Sequence, residues 1–352
     1  MHQSAYKYLS SYVAPLVVWF SLSASGLWTY FALVFVFGLI PALEFFFTGS
    51  EKNMTEVEES LALQNRLYDY IIWSLVPIQI LLLFYFLERI SDPSVWLSEK
   101  VGMVTAFGIS CGVLGINAAH ELGHRVTKHE QWMSKILLST TLYMHFFIEH
   151  NFGHHKNVST DDDPASSKYG ENIYAFFIRT IRDSWLSAWQ IEAKRLAQAQ
   201  QGFWSWHNEM LVYQVIQASI VAAIGWFYGL QVLIFFLMSA TMGFLLLETV
   251  NYIEHYGLRR QKISEKHYEP VQPNHSWNSN HALGRLLLLE LTRHSDHHYK
   301  ATRKYQILRH FDESPQMPAG YPAMMLLALV PPLWFRVMHK QIAQLHQIET
   351  QH

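Results

Sequence analysis

Residues 8–43 contain no Lys, Arg, Asp or Glu. A stretch that apolar cannot be hidden in a soluble core of its own making, and it is nearly twice the roughly 20 residues a helix needs to cross a bilayer. The small, polar residues Ser23, Ser25 and Gly26 divide it into two helices, read at 10–25 and 27–47. Further apolar runs lie at 68–88, 101–119, 209–228 and 230–250, each close to one crossing. Pro41 and Pro77 fall inside two of these runs, which membrane helices tolerate where neighbours satisfy the freed carbonyl. The expected architecture is an all-α integral membrane protein, a bundle of about six transmembrane helices in three hairpins, with 1–352 forming one membrane-embedded domain. The first run could pass for a secretion signal. Its n-region holds only Lys7, however, and a second apolar run follows at once, so it is read as a retained span.

Charge sets the orientation. The segments 120–208 and 251–352 hold 9 and 12 of the 26 Lys and Arg, whereas the loop between the third and fourth spans holds Arg89 and Lys100 alone. By the positive-inside rule both termini and both long segments are cytoplasmic, where they would form one helical cap. Within it, 132–149 reads as a buried or re-entrant helix and Arg179 to Gln201 as a solvated amphipathic one. The run 320–338, broken at Pro331-Pro332, reads as an interfacial helix. A net charge of −2 with no basic block excludes nucleic acid as a partner. The single cysteine, Cys111, lies mid-span; it excludes disulfides, a CxxC iron site and an iron–sulfur cluster, and is read as a packing residue. No nicotinamide fingerprint or flavin site is evident, so a reaction consuming electrons would draw them from another protein.

The cap carries the chemistry. Of 20 histidines, nine stand out: His120 and His124 in HELGH, His150, His154 and His155 in HNFGHH, His255 in NYIEHYGL, and His294, His297 and His298 in HSDHH. Offsets of three, four and five residues put imidazoles on neighbouring positions of one helix face. Neutral imidazole is the commonest protein ligand for iron, zinc and copper. Nine ligands exceed what one ion takes, so two metals are expected. His2, His129, His310, His339, His346 and His352 are read as background. Each cluster sits where an apolar run ends, so four helix ends would converge in one plane, fed by an apolar tunnel between spans two, three, four and six. Glu121, Glu149, Glu254 and Asp296 adjoin the histidines and are candidates to orient imidazole N–H groups and balance metal charge. From the residues alone a zinc protease with Glu121 as general base, a metal transporter and an oxygenase remain open.

The set HELGHR, EHNFGHH, NYIEHYGL and LTRHSDHH resembles the membrane alkane 1-monooxygenases of the histidine-rich membrane di-iron superfamily, relatives of the fatty-acid desaturases and xylene monooxygenase. The resemblance covers roughly 15–340 and extends to HSWNSNH at 275–281 and GYP at 320–322. One departure is Thr292, where the family more often has Gln. The resemblance implies a di-iron site of two non-haem irons held by the nine histidines. It implies hydroxylation of the terminal methyl of medium- or long-chain n-alkanes to primary alcohols, using O2 and electrons from a rubredoxin that a rubredoxin reductase reloads. A strong unactivated C–H bond agrees, since it needs a redox-active metal and zinc is not one. The setting implied is a bacterial inner membrane, whose lipid would dissolve the substrate. Lys128, Lys135, Arg303, Lys304 and Arg309 are candidates for docking an acidic electron donor. An aromatic-methyl hydroxylase or a fatty-acyl desaturase is the alternative.

Overall fold

The computed structural model describes residues 5–47, 49–265 and 267–349; among the background histidines, His2, His352 and the side chain of His346 fall outside what is described. The architecture is helical, relieved by one small antiparallel pair of strands, Lys262–Ser264 and His267–Tyr268. Four helices among the described residues are long and apolar enough to cross a membrane: Gly26–Glu44, Leu67–Ser91, Leu97–Gly123 and Glu209–His255.

The last of these is 47 residues long and is not straight. Gly229 has φ 84 and ψ 170, a conformation open only to glycine, and the two arms 209–228 and 230–255 turn sharply there. A Cβ on Gly225 would sit 3.3 Å from Leu233 Cδ2, closer than eight residues of continuous helix permit. Both arms return to the same side, with Glu209 2.8 Å from Lys135 and His255 among the other histidines. The expected hairpin 209–228/230–250 is therefore present.

The first expected span differs. Only Val13–Ser23, 11 residues, is α-helix; Ala5–Tyr12 is 3-10 helix and belongs to the histidine side, where the Tyr8 hydroxyl donates to Glu290 Oε1 at 2.7 Å. The helix read at 132–149 is two pieces, Lys128–Ser139 and 146–157. Leu142 between them is left-handed (φ 54), and the hydroxyls of Thr140 and Thr141 bond back to the carbonyls of Leu137 and Leu138, competing with the helix ladder. The C-terminal run is likewise split, into Tyr321–Ala328 and Pro331–Glu349, with proline opening the second helix. Its Trp334 and Met338 are fully buried against Tyr252 and Tyr256, so the run packs on the end of the 209–255 helix.

Close backbone approach locks the bundle around the site. Gly243 lies against Cys111 and Gly112, and Gly108 against Met242, so helices 97–123 and 230–255 cross through small residues. Cys111 is a buried packing residue, as read. Gln79, fully buried in helix 67–91, accepts from Ser110 Oγ at 2.6 Å and donates to Thr140 Oγ1 at 3.2 Å, tying three helices where lipid offers no alternative partner.

Candidate metal centre

All nine histidines converge, and they do so as two groups. His120, His124, His150, His155 and His297 form one; His154, His255, His294 and His298 form the other, with the ligand atoms of each group within 4.8 Å of one another. The split cuts across the sequence clusters. Neighbours His154 and His155 serve opposite groups, and so do His297 and His298. Successive helical residues point about 100° apart, so a helix running between two centres offers one imidazole to each. The segment His150–His154 is π-helical, as is Cys111–Asn117 just before His120, and the wider turns adjust where these imidazoles point.

The nitrogens face inward. His120 Nε2 lies 2.8 Å from His297 Nε2, and His150 Nε2 lies 3.0 Å from both His124 Nε2 and His155 Nε2. His155 and His297 are 3.0 Å apart through the same atoms. Two ligands at right angles on an ion with bonds of about 2.1 Å would be about 3.0 Å apart, so the spacing fits a shared metal ion. In the second group His255 Nε2 and His294 Nε2 are 3.2 Å apart, while His154 Nε2 and both nitrogens of His298 are buried with no hydrogen-bond partner. Buried polar atoms without partners are costly, and a cation would satisfy His154 Nε2 and one nitrogen of His298. Burial also pushes the pKa of His124, His150, His155, His294, His297 and His298 below the ordinary histidine value, holding the neutral form that binds metals.

The adjoining carboxylates divide by what they touch. Glu254 Oε2 is 3.1 Å from His294 Nε2, and its Oε1 accepts from the Tyr321 hydroxyl at 2.6 Å, which gives the GYP motif a structural task. Glu121 forms an ion pair with Arg125 at 2.7 Å and accepts from the Tyr305 backbone N–H, and Asp296 accepts from Arg303 at 2.6 Å and from Arg309 N–H; these contacts brace the loops behind the histidines. Glu149 is buried and paired with Ser187, its Oε1 unpartnered. The carboxylate that sequence reading missed is Asp163. Its Oδ2 lies 2.8 Å from His154 Nδ1, both side chains are sealed from solvent, and Ser166 Oγ also donates to it. The signal was the DDDP run, whose third aspartate lies eight residues past His155 and which reads in isolation as a solvated loop.

Other residues fall less simply. Thr292 is buried; its carbonyl accepts from Ser279 N–H and its hydroxyl has no hydrogen-bond partner. Of the five candidate docking cations, Lys128 is exposed. Lys135, Arg303, Lys304 and Arg309 pair with Glu209, Asp296, Asp69 and Glu59. Two background histidines are built into the fold: His339 bonds the Tyr256 hydroxyl at 2.9 Å, and His310 bonds Asn280 at 3.0 Å.

An apolar cavity of about 110 Å³ is lined by His120, His150, His294 and Glu254 among mostly apolar side chains. Its walls include Val17, Phe37, Val113, Leu247 and Leu288. They come from the first, second, fourth and sixth expected spans, from the 146–157 segment through Phe146 and His150, and from residues 284–325, with none from helix 67–91. The expected tunnel is thus corrected: the short first helix, not the third, supplies the missing wall, because helix 67–91 lies outside it.

The fatty acid desaturase family profile matches residues 94–328. Alkane 1-monooxygenase 2 of Alcanivorax borkumensis is 39% identical over 92% of this chain and 85% of its own length. Alkane 1-monooxygenase 2 of Pseudomonas aeruginosa is 38% identical over 93% and 88%. The xylene/toluene monooxygenase hydroxylase component of Pseudomonas putida is 28% identical over 69% and 64%. With its histidines gathered beside an apolar cavity, the chain belongs to the alkane 1-monooxygenase branch of the fatty acid desaturase family.

Proposed function

We propose that the protein uses two non-haem irons, O2 and two electrons to hydroxylate the terminal methyl of medium- or long-chain n-alkanes. The carrying observation is the five-plus-four histidine arrangement beside an apolar cavity that His120, His150 and His294 help to line. His120, His124, His150, His155 and His297 would hold one iron, and His154, His255, His294 and His298 the other. Bound iron supplies the redox chemistry that activates O2 against a strong C–H bond. The chain itself does the rest. The cavity strips water from an alkane and admits it lengthwise, so that a chain end meets the histidines. Asp163 fixes the His154 ring through Nδ1, and Glu254, held by Tyr321, places a negative charge beside His294.

The histidine side and both termini would be cytoplasmic, in a bacterial inner membrane, with six crossings once the short first helix and both arms of 209–255 are counted. Residues 120–208 and 251–352 would form the cap of a single domain. A rubredoxin, recharged by its reductase, would deliver electrons near His124 and His155, the two histidines left partly exposed. Lys128 is exposed; the paired Lys135, Arg303, Lys304 and Arg309 would contribute through the field of the surface.

A protease reading is disfavoured by Glu121, which is engaged by Arg125 and Tyr305. Metal analysis and turnover with octane, hexadecane, xylene and a fatty acid test the proposal. Two irons per chain with 1-octanol or 1-hexadecanol as product is the expected result. Hydroxylated xylene or an unsaturated acyl product alone would replace it with the hydroxylase or desaturase alternative.

A further inference from the structure

Beside the metal centre lies a second, polar pocket, lined by Tyr143, His145, Glu149, Ser184, Glu248 and Asn251. It shares Phe146, His150 and Asn251 with the wall of the apolar cavity, so those three residues separate the two spaces. The pocket is small, with room for about one water molecule. Two buried polar atoms among its lining residues, His145 Nε2 and Glu149 Oε1, lack protein partners, and a water there would satisfy them. On the outer side, Ser184 belongs to helix 173–198, and Ser187, less than one turn on, is partly exposed.

Glu248 is the pivot. It sits 2% exposed within an apolar helix, two turns before His255. Its Oε1 accepts from the Tyr143 hydroxyl at 2.8 Å, and its Oε2 accepts from Thr180 Oγ1 at 2.9 Å and Asn251 Nδ2 at 3.2 Å. An ionisable group buried at such depth is costly to keep for packing alone.

We propose that Glu248 is a proton relay that carries protons from the helix 173–198 side, through water in the polar pocket beside Asn251, to the reacting end of the apolar cavity. The inference rests on the monooxygenase reading, because that reaction creates the demand. Converting an alkane, O2, two electrons and two protons to an alcohol and water consumes two protons per turnover, inside a cavity whose walls exclude bulk water. Glu248 carries each proton in and is regenerated by the next, so it is neither oxidised nor consumed. Asn251, which donates to Glu248 and lines both spaces, is the link between the pocket and the cavity.

The test is Glu248→Gln, which keeps the size and one acceptor oxygen, turns the other into an NH2 donor and cannot pass a proton, with Glu248→Asp as the conservative partner. With wild-type iron content and an unchanged rate of reduction, Glu248→Gln should hydroxylate octane on the order of 100-fold more slowly. Its solvent deuterium isotope effect should rise, and Glu248→Asp should recover part of the rate. A purely structural Glu248 would lower stability without moving the isotope effect, and that result overturns the proposal. A second readout needs no metal: the infrared difference between metal-free wild type and Glu248→Gln should contain a carboxyl signal that responds promptly to bulk pH and to D2O. A signal indifferent to both overturns the relay. Wild-type protein that binds iron yet hydroxylates nothing would instead overturn the underlying reading, and the relay with it.

Discussion

Asp163 Oδ2 stands 2.8 Å from His154 Nδ1, with neither side chain touching solvent. The bond leaves His154 Nε2 as the atom free to bind metal, and it fixes the ring's orientation and tautomer.

Replacing Asp163 by Asn should therefore weaken metal binding at the four-histidine group by about 10–100-fold while leaving the five-histidine group loaded. Iron titration of purified protein would read this as one tight and one weakened site. Two undiminished sites would show that Asp163 does not orient His154.

His255→Ala removes one of the four imidazoles in the smaller group. Alkane hydroxylation should be abolished, with iron falling toward one per chain and the protein remaining in the membrane fraction. Full turnover by this variant would remove His255 from the site.

Acid should destabilise the metal-free protein. Burial holds His124, His150, His155, His294, His297 and His298 below their unfolded pKa, so the unfolded chain takes up protons first as pH falls. Stability should be flat above about pH 7.5 and fall progressively below about 6.5, the unfolded histidine value. Melting of the detergent-solubilised, metal-free protein across that range checks the sign. A melting temperature independent of pH would mean these imidazoles are solvated.

Gly243→Ala should destabilise the bundle by about 1–3 kcal/mol, because its Cβ would overlap Cys111 and crowd the Gly112 backbone 3.3 Å away. Gly202→Ala, where nothing lies within 4 Å, is the control and should be near neutral. Chemical unfolding in detergent distinguishes them.

Much of this was legible in the sequence, because apolar periodicity and histidine spacing are local signals. The runs at 68–88 and 101–119 lie inside the observed helices 67–91 and 97–123, and the nine histidines meet as expected. What local signals could not carry was the partner across space. Nothing in DDDP says that its third aspartate meets His154, since that contact depends on the turn at 158–166. Leu142 likewise breaks the 132–149 helix in a left-handed conformation its side chain does not favour. Nor could spacing assign the histidines to groups, because the π-helical stretch 150–154 shifts the phase that an ideal helix would give.

The alternation of His154 with His155, and of His297 with His298, makes the two groups inseparable. In each pair a single peptide unit joins one histidine group to the other, so the separation of the two groups is set by the angular pitch of a helix. A single-residue deletion just ahead of either pair would rotate both imidazoles at once by about 100°, turning the second histidine toward the first one's group and the first away from both, and so disabling the two groups together.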